Sequence, residues 1–270
     1  MTDHDELQVD RPLIVSWGAG LNSTALIIGL LERDIRPDAI LFANTHGEKP
    51  ATYRFLEVFT DWLKERDLDL VVVDNAAREG FPHTSLENEC HNNQTLPSLA
   101  FGFKGCSAKW KRQPQERWAK QWQPAIDAWE RGDKVTKAIG FDAWEERRAK
   151  IPEDNEYRYI YPLIEWGWGR DECTEAIERE GLCPPPKSAC FFCPASKKSE
   201  ILQLKRKHPD LFQRAMDMER HAAPALGTVK GLGRAWSWTE LGEADDAQLR
   251  LLPDVWFDEP CGCYDGEYDE

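Results

Sequence analysis

No apolar stretch in the 270 residues approaches the length of a membrane span, and the opening MTDHDELQVD is too polar for a signal peptide. The chain therefore reads as cytoplasmic, with no membrane partner. Positive charge is in short supply: 34 Lys and Arg stand against 48 Asp and Glu, a formal net charge of −14. That balance argues against a protein that coats nucleic acid non-specifically. The stretch LIVSWGAGLNST (13–24) lacks the lysine of a Walker phosphate loop, GxxxxGK[ST]. It also lacks the third glycine of a dinucleotide fingerprint, because position 23 is serine, and the next strand closes with Asn44 instead of a ribose-binding acid. Eight cysteines without a secretory signal point to metal binding or catalysis in a reducing compartment, not to disulfides.

What is present in that stretch is a short apolar run, a turn bearing Gly18 and Gly20, and a Ser23-Thr24 pair opening an apolar-periodic helix. Strand, glycine turn and helix start bring free backbone N–H groups and a positive dipole end to one point, which suits a phosphate. The pattern recurs. Ile40–Phe42, LDLVVVDN, KVTKAIGF and RYIYP read as four further strands, interleaved with helices. This predicts an α/β fold: a Rossmann-like parallel five-stranded sheet with helices on both faces, plus a mainly helical C-terminal metal-binding extension. Residues 1–165 are read as the nucleotide-binding unit and 166–270 as the extension with its acidic tail. Ligands in such sheets bind beyond the carboxyl ends of the strands, so Ser16–Gly20, Asn44–Glu48 and Asp74–Asn75 should share a rim.

Residues 76–111 show little regular pattern and read as a lid, a binding segment or disorder. A cationic cluster follows, in which Lys104, Lys109, Lys111, Arg112, Arg117 and Lys120 surround Cys106. It reads either as a solvated face or as a cleft for a polyanion, with Lys109, Lys111 and Arg112 as substrate contacts. A thiol among cations suits a reactive cysteine or a metal ligand. Cys190-Phe191-Phe192-Cys193 places two thiols in one tight turn behind the stiff Pro184–Pro186 approach, the spacing at which one metal is chelated.

The S-x-G-x-G-x-x-S-T of Ser16–Thr24 resembles the PP-loop of the ATP-pyrophosphatases, in the form found in phosphoadenosine-phosphosulfate (PAPS) reductase-like proteins and DNA-phosphorothioation sulfurtransferases. FANTHGEKPATY resembles that family's second loop, Gly140 through Glu145 to Arg148 its glycine turn, and Pro162-Leu163 with Trp166 a further signature, together spanning about residues 11–215. Ala19 stands where glycine is common, Asn22 where Asp or Gln is common, and Asn44 where an acid is usual. The resemblance implies that Ser16, Gly18, Gly20, Asn22, Ser23, Thr24 and Gly140 bind ATP with Mg2+. It also implies catalytic roles for Asn22, Asn44, Glu145 and Arg148. Cys106 becomes the third metal ligand, with Cys261 or Cys263 the fourth, or failing those Cys183 or Cys90. Four thiolates suit zinc and iron–sulfur alike, and the resemblance favours [4Fe–4S] over Zn2+.

The activity implied is adenylation of an acceptor, DNA or tRNA, with pyrophosphate release and sulfur delivered from a donor protein. A homo-oligomer is left open. Two other readings stand beside it. A sulfonucleotide (PAPS/APS) reductase would use a C-terminal cysteine, but the tail EPCGCYDGEYDE lacks the usual histidine. A non-catalytic nucleotide- and metal-dependent binding module is the third.

Overall fold

The computed structural model describes residues 9–248, so Cys261 and Cys263 lie outside the described residues. Strands β1 (Leu13–Trp17), β2 (Ala39–Asn44), β3 (Leu70–Asp74), β4 (Val135–Ile139) and β5 (Tyr157–Ile160) form one all-parallel sheet in the order β3-β2-β1-β4-β5. The middle strands are near-continuous apolar runs because both faces are covered, as parallel sheets require.

Helices α1 (Leu21–Leu31) and α2 (Pro50–Lys64) follow β1 and β2. Together with Leu163, Cys173, Ala176 and Ile177 they bury Leu13, Val15, Trp17, Ile40 and Phe42 on one face. Trp17 and Phe59 stack there with centroids 4.9 Å apart. The next segment, expected to be irregular, carries helices from residue 86 onward. It holds α3 (Leu86–Asn92) and α4 (Gly105–Ser107), and the latter runs through a π-helical turn, Ala108–Arg112, into α5 (Gln113–Ala119). The start of α3 is fixed by Ser85, whose hydroxyl accepts from Asn88 N–H at 2.9 Å. A capping serine amid so many polar residues hid the helix from a reading based on apolar periodicity. The tryptophan-bearing stretch before β4 divides into two helices, because Pro124 starts α6 (Gln123–Glu130) afresh. With α5 it covers the other face, over Ile14, Leu41, Val135 and Tyr157.

After β5 come α7 (Pro162–Glu165), α8 (Arg170–Arg179), α9 (Lys198–Lys207), α10 (Pro209–Ala222) and α11 (Trp238–Gln248). Pro209 ends α9 and begins α10. This helical C-terminal part joins α3 around a separate core of Trp110, Phe191, Phe192, Met218 and Trp238. Among the described residues no helix is long and apolar enough to cross a membrane.

The chain leaves β1 in one direction to β2 and β3, and crosses to the other side for β4 and β5. The crevice beyond the carboxyl ends of β1 and β4 is thus the sheet's topological switch point, where α/β folds bind ligands.

Candidate functional site

Two turns meet at the switch point. The first, Gly18-Ala19-Gly20, links β1 to α1. Ala19 sits at φ 55°, in the left-handed region that glycine enters without strain, which accounts for the glycine common at this position in the family the loop resembles. Gly18 N–H donates to Ser23 Oγ at 3.1 Å, and Ser23 Oγ donates to Gly20 O at 3.2 Å. Helix α1 has no side-chain cap and no acid in its first turn, so its first N–H groups are offered to whatever anion sits on the loop. The second turn carries Gly140. A Cβ there would lie 2.8 Å from Ser23 N and Cα and 2.9 Å from Asn22 C, so only glycine lets the β4 turn press against the start of α1.

Thr24 plays a different part from the one its motif position suggests. It is fully buried, accepting from Trp17 Nε1 at 3.0 Å and donating to Gly20 O at 2.9 Å. Its hydroxyl ties helix to strand. Ser16 Oγ likewise donates to Gln115 Oε1 on α5 at 2.7 Å.

Asn22, Glu145 and Arg148 converge. Asn22 Nδ2 donates to Asp142 Oδ2 at 2.9 Å and to Glu145 Oε2 at 3.2 Å, and Glu145 pairs with Arg148. Asp142 was not singled out from the sequence, although it lies two residues beyond Gly140. It also caps the 3₁₀ turn Ala143–Arg148, accepting Trp144 N–H at 3.0 Å. A residue before a short turn reads as a plain cap until the fold brings it to Asn22. Ser188 was missed as well, and its Oγ would be 2.9 Å from a Cβ at Gly20, which sets the 187–190 segment over the loop.

Asn44 lies one strand over. Its Oδ1 accepts His46 N–H at 2.9 Å and Tyr53 O–H at 3.1 Å, while Nδ2 is 3.4 Å from His46 Nδ1. His46 Nε2 meets Asp74 at the end of β3. Asn44, His46 and Asp74 thus form a hydrogen-bonded row on the rim.

A scan against protein-family models finds no match, and no curated protein matches. Among solved structures, the U34-tRNA thiolase NcsA from Methanococcus maripaludis, determined with its [4Fe–4S] cluster, is similar at 14% identity over 78% of this chain and 72% of that one, with a TM-score of 0.42. At that level the likeness carries no information on chemistry.

The cysteines sit beside the Asn44–Glu48 loop. Cys190 pairs with Glu48 in an antiparallel bridge, Phe191 N–H donates to Gly47 O at 2.8 Å, and Cys193 N–H closes the turn on Cys190 O at 3.0 Å. Glu48 is buried and accepts from Lys111 Nζ at 3.0 Å; Thr45 Oγ1 stands 3.4 Å from the same carboxylate oxygen and 3.2 Å from Cys190 Sγ. The other oxygen, Oε2, is buried without a partner. Burial opposes the Lys111 charge, but Glu48 and Cys190 outweigh it and push the ammonium's pKa up. Burial and then Glu48 raise the Cys190 thiol, and burial raises Cys193, with Cys106 adding to it. Cys106 and Cys90 line an apolar cavity of about 320 Å³ with Phe101 and Phe103. Among the described residues no three His, Cys, Asp or Glu side chains converge as a metal site.

The cationic stretch is not a bare positive surface. Lys109 pairs with Glu89, Lys111 with Glu48, Arg112 with Glu116 and Lys120 with Glu156. The partners come from α3, the β2 loop, α5 and the approach to β5, so sequence proximity of the cations concealed their neutralisation.

Proposed function

We propose that this chain binds ATP at the switch point and adenylates an acceptor, with pyrophosphate release, as the activating step of sulfur transfer to nucleic acid. The observation that supports it most is the corner where Gly140 backs onto Asn22-Ser23 and Asn22 is bracketed by Asp142 and Glu145. The uncapped first turn of α1 and the Gly18–Gly20 turn present N–H groups to the triphosphate. An acceptor oxygen attacks the α-phosphorus, the P–O bond to pyrophosphate breaks, and the leaving charge falls where those N–H groups already point. Carboxylate oxygens are the hard donors that Mg2+ prefers, so Asp142 and Glu145 are the residues that would hold it, with Asn22 Nδ2 bridging the two carboxylates. Bound there, Mg2+ supplies charge neutralisation for the departing pyrophosphate. Asp142 and Glu145 thereby provide the carboxylate character that Asn22 lacks.

The thiols belong to the same reading. Cys190 and Cys193 share one turn, Cys106 is close enough to perturb Cys193, and Cys261 or Cys263 would complete the set from outside the described residues. Sulfur donors of this kind suit [4Fe–4S] or Zn2+. A cluster, when bound, supplies a site that carries sulfur.

The test is pyrophosphate release by the full chain with ATP and Mg2+, with and without single-stranded DNA or tRNA. Release stimulated by one of these acceptors is expected, and the Asp142→Asn/Glu145→Gln variant should need several-fold more Mg2+. A chain that binds no adenine nucleotide would overturn the proposal.

A further inference from the structure

The acceptor is the least defined part of that proposal, and Lys109, Lys111 and Arg112, which the sequence offered as its contacts, are paired with Glu89, Glu48 and Glu116. A different surface is not neutralised in this way. In the 3₁₀ turn Ala143–Arg148, three residues make one turn, so Trp144 and Arg147 eclipse each other on one edge, and Lys150 lies two residues past the end of the turn. Trp144 is 83% exposed, the most exposed large apolar side chain among the described residues. Arg147 and Lys150 are exposed, and neither has an ion pair among the described residues. Glu145 and Arg148 pair with each other on a second edge, and the exposed Glu146 belongs to the third.

The aromatic is held in place. Asp142 caps the turn through Trp144 N–H, and the indole Nε1 lies against Gly169, where a Cβ would collide with it. One edge of the ring is anchored and its faces are left to solvent. Flanked by free cations, it has the composition of a single-strand platform, on which a base stacks on the ring while phosphates meet the charges. The same turn carries Asp142 and Glu145, so a strand lying on it runs past the proposed adenylation corner.

We infer that the Trp144–Arg147 edge, with Lys150 just beyond the turn, is the docking surface for a single-stranded segment of the nucleic-acid acceptor, one unpaired base stacking on Trp144 and its neighbouring phosphates facing Arg147 and Lys150. This rests on the adenylation reading for its place in the reaction, but not for its measurement.

A labelled single-stranded 12-nucleotide oligonucleotide, titrated with the full chain and followed by anisotropy at several salt concentrations, tests it. Trp144→Ala should weaken binding about tenfold, with Trp144→Phe in between. Arg147→Gln/Lys150→Gln should reduce the slope of log affinity against log salt by about 1.4, two single-strand phosphate contacts. All three variants should keep wild-type ATP affinity and thermal midpoint, and the same sequence as a blunt duplex should bind more weakly. Wild-type affinity in the variants, equal affinity for duplex, or loss of ATP affinity in parallel would each overturn the inference. A chain that releases pyrophosphate on a small acceptor but binds no oligonucleotide also overturns it and leaves adenylation standing. Oligonucleotide binding that depends on this edge in a chain without ATP affinity would do the reverse.

Discussion

Replacing Lys111 by methionine would leave Glu48 as a buried carboxylate without its cation. The Glu48 side chain is 1% exposed and the Lys111 side chain 37%, with Nζ and Oε1 3.0 Å apart. At an effective dielectric near 20 the Coulomb attraction at that distance is about 5–6 kcal/mol. Lys111 keeps over a third of its surface in water, so screening brings the expected loss to about 3 kcal/mol, the lower end for breaking a buried pair. Oε2 already lacks a partner, so Glu48 has no second donor to fall back on beyond the Thr45 hydroxyl. Urea unfolding of Lys111→Met should show a fall of that size, about two powers of ten in the folding equilibrium. The double variant Glu48→Gln/Lys111→Met removes the stranded charge and should recover most of the loss, because an apolar or neutral replacement of a buried pair is nearly neutral. A loss under about 1 kcal/mol in the single variant, or a double variant no more stable than the single, would refute the assignment of Lys111 as the structural partner of Glu48. Glu48 also bridges to Cys190, so if the proposed thiolate site holds a metal, metal content of the purified protein should fall with the single variant and return with the double.

Gly140→Ala forces a methyl into the Asn22-Ser23 backbone; a stability loss of about 1–3 kcal/mol is expected from overpacking. ATP affinity, measured by calorimetry, should drop about tenfold with it; unchanged affinity would put the nucleotide elsewhere. Lys137 sits 3% exposed in β4 with its ammonium 3.7 Å from the Tyr157 ring centroid. Burial lowers its pKa from the ordinary 10.5 to about 8, against the opposing pull of Glu116 and Asp154. Between those two values the unfolded chain binds the extra proton, so stability should rise with pH across that window, by about 3 kcal/mol. In Lys137→Met the rise should vanish and stability at neutral pH increase; a wild-type slope in that variant would assign the titration to another group.

Local pattern carried the sheet. The strands β1, β2 and β3 are apolar runs bounded by glycine, proline or polar residues, as parallel strands with covered faces are, whereas β4 (VTKAI) and β5 (YRYI) carry Thr136, Lys137 and Arg158 within them. The helix α3 was not legible in this way, because its seven residues bury only Leu86 and Cys90, and a serine cap and contacts to α10 supply the rest of its support. The glycine turn of residues 18–20 was recognisable from spacing alone, since a strand-to-helix turn needs those residue types at those positions.

What the neighbours of that turn do was decided in three dimensions. Thr24 matches a phosphate-binding position in the motif, yet the fold spends its hydroxyl on Trp17 and Gly20. Asp142 reached Asn22 across 120 residues, and His46 met Asp74 across 28, only through the register of parallel strands. Charge shows the division most plainly. The sequence determines that Lys104 to Lys120 is cationic, but Coulomb attraction acts between atoms a few ångströms apart, whatever their separation along the chain. Folding set a carboxylate beside Lys109, Lys111, Arg112 and Lys120 and left Arg147 and Lys150 without one among the described residues, beside the open face of Trp144.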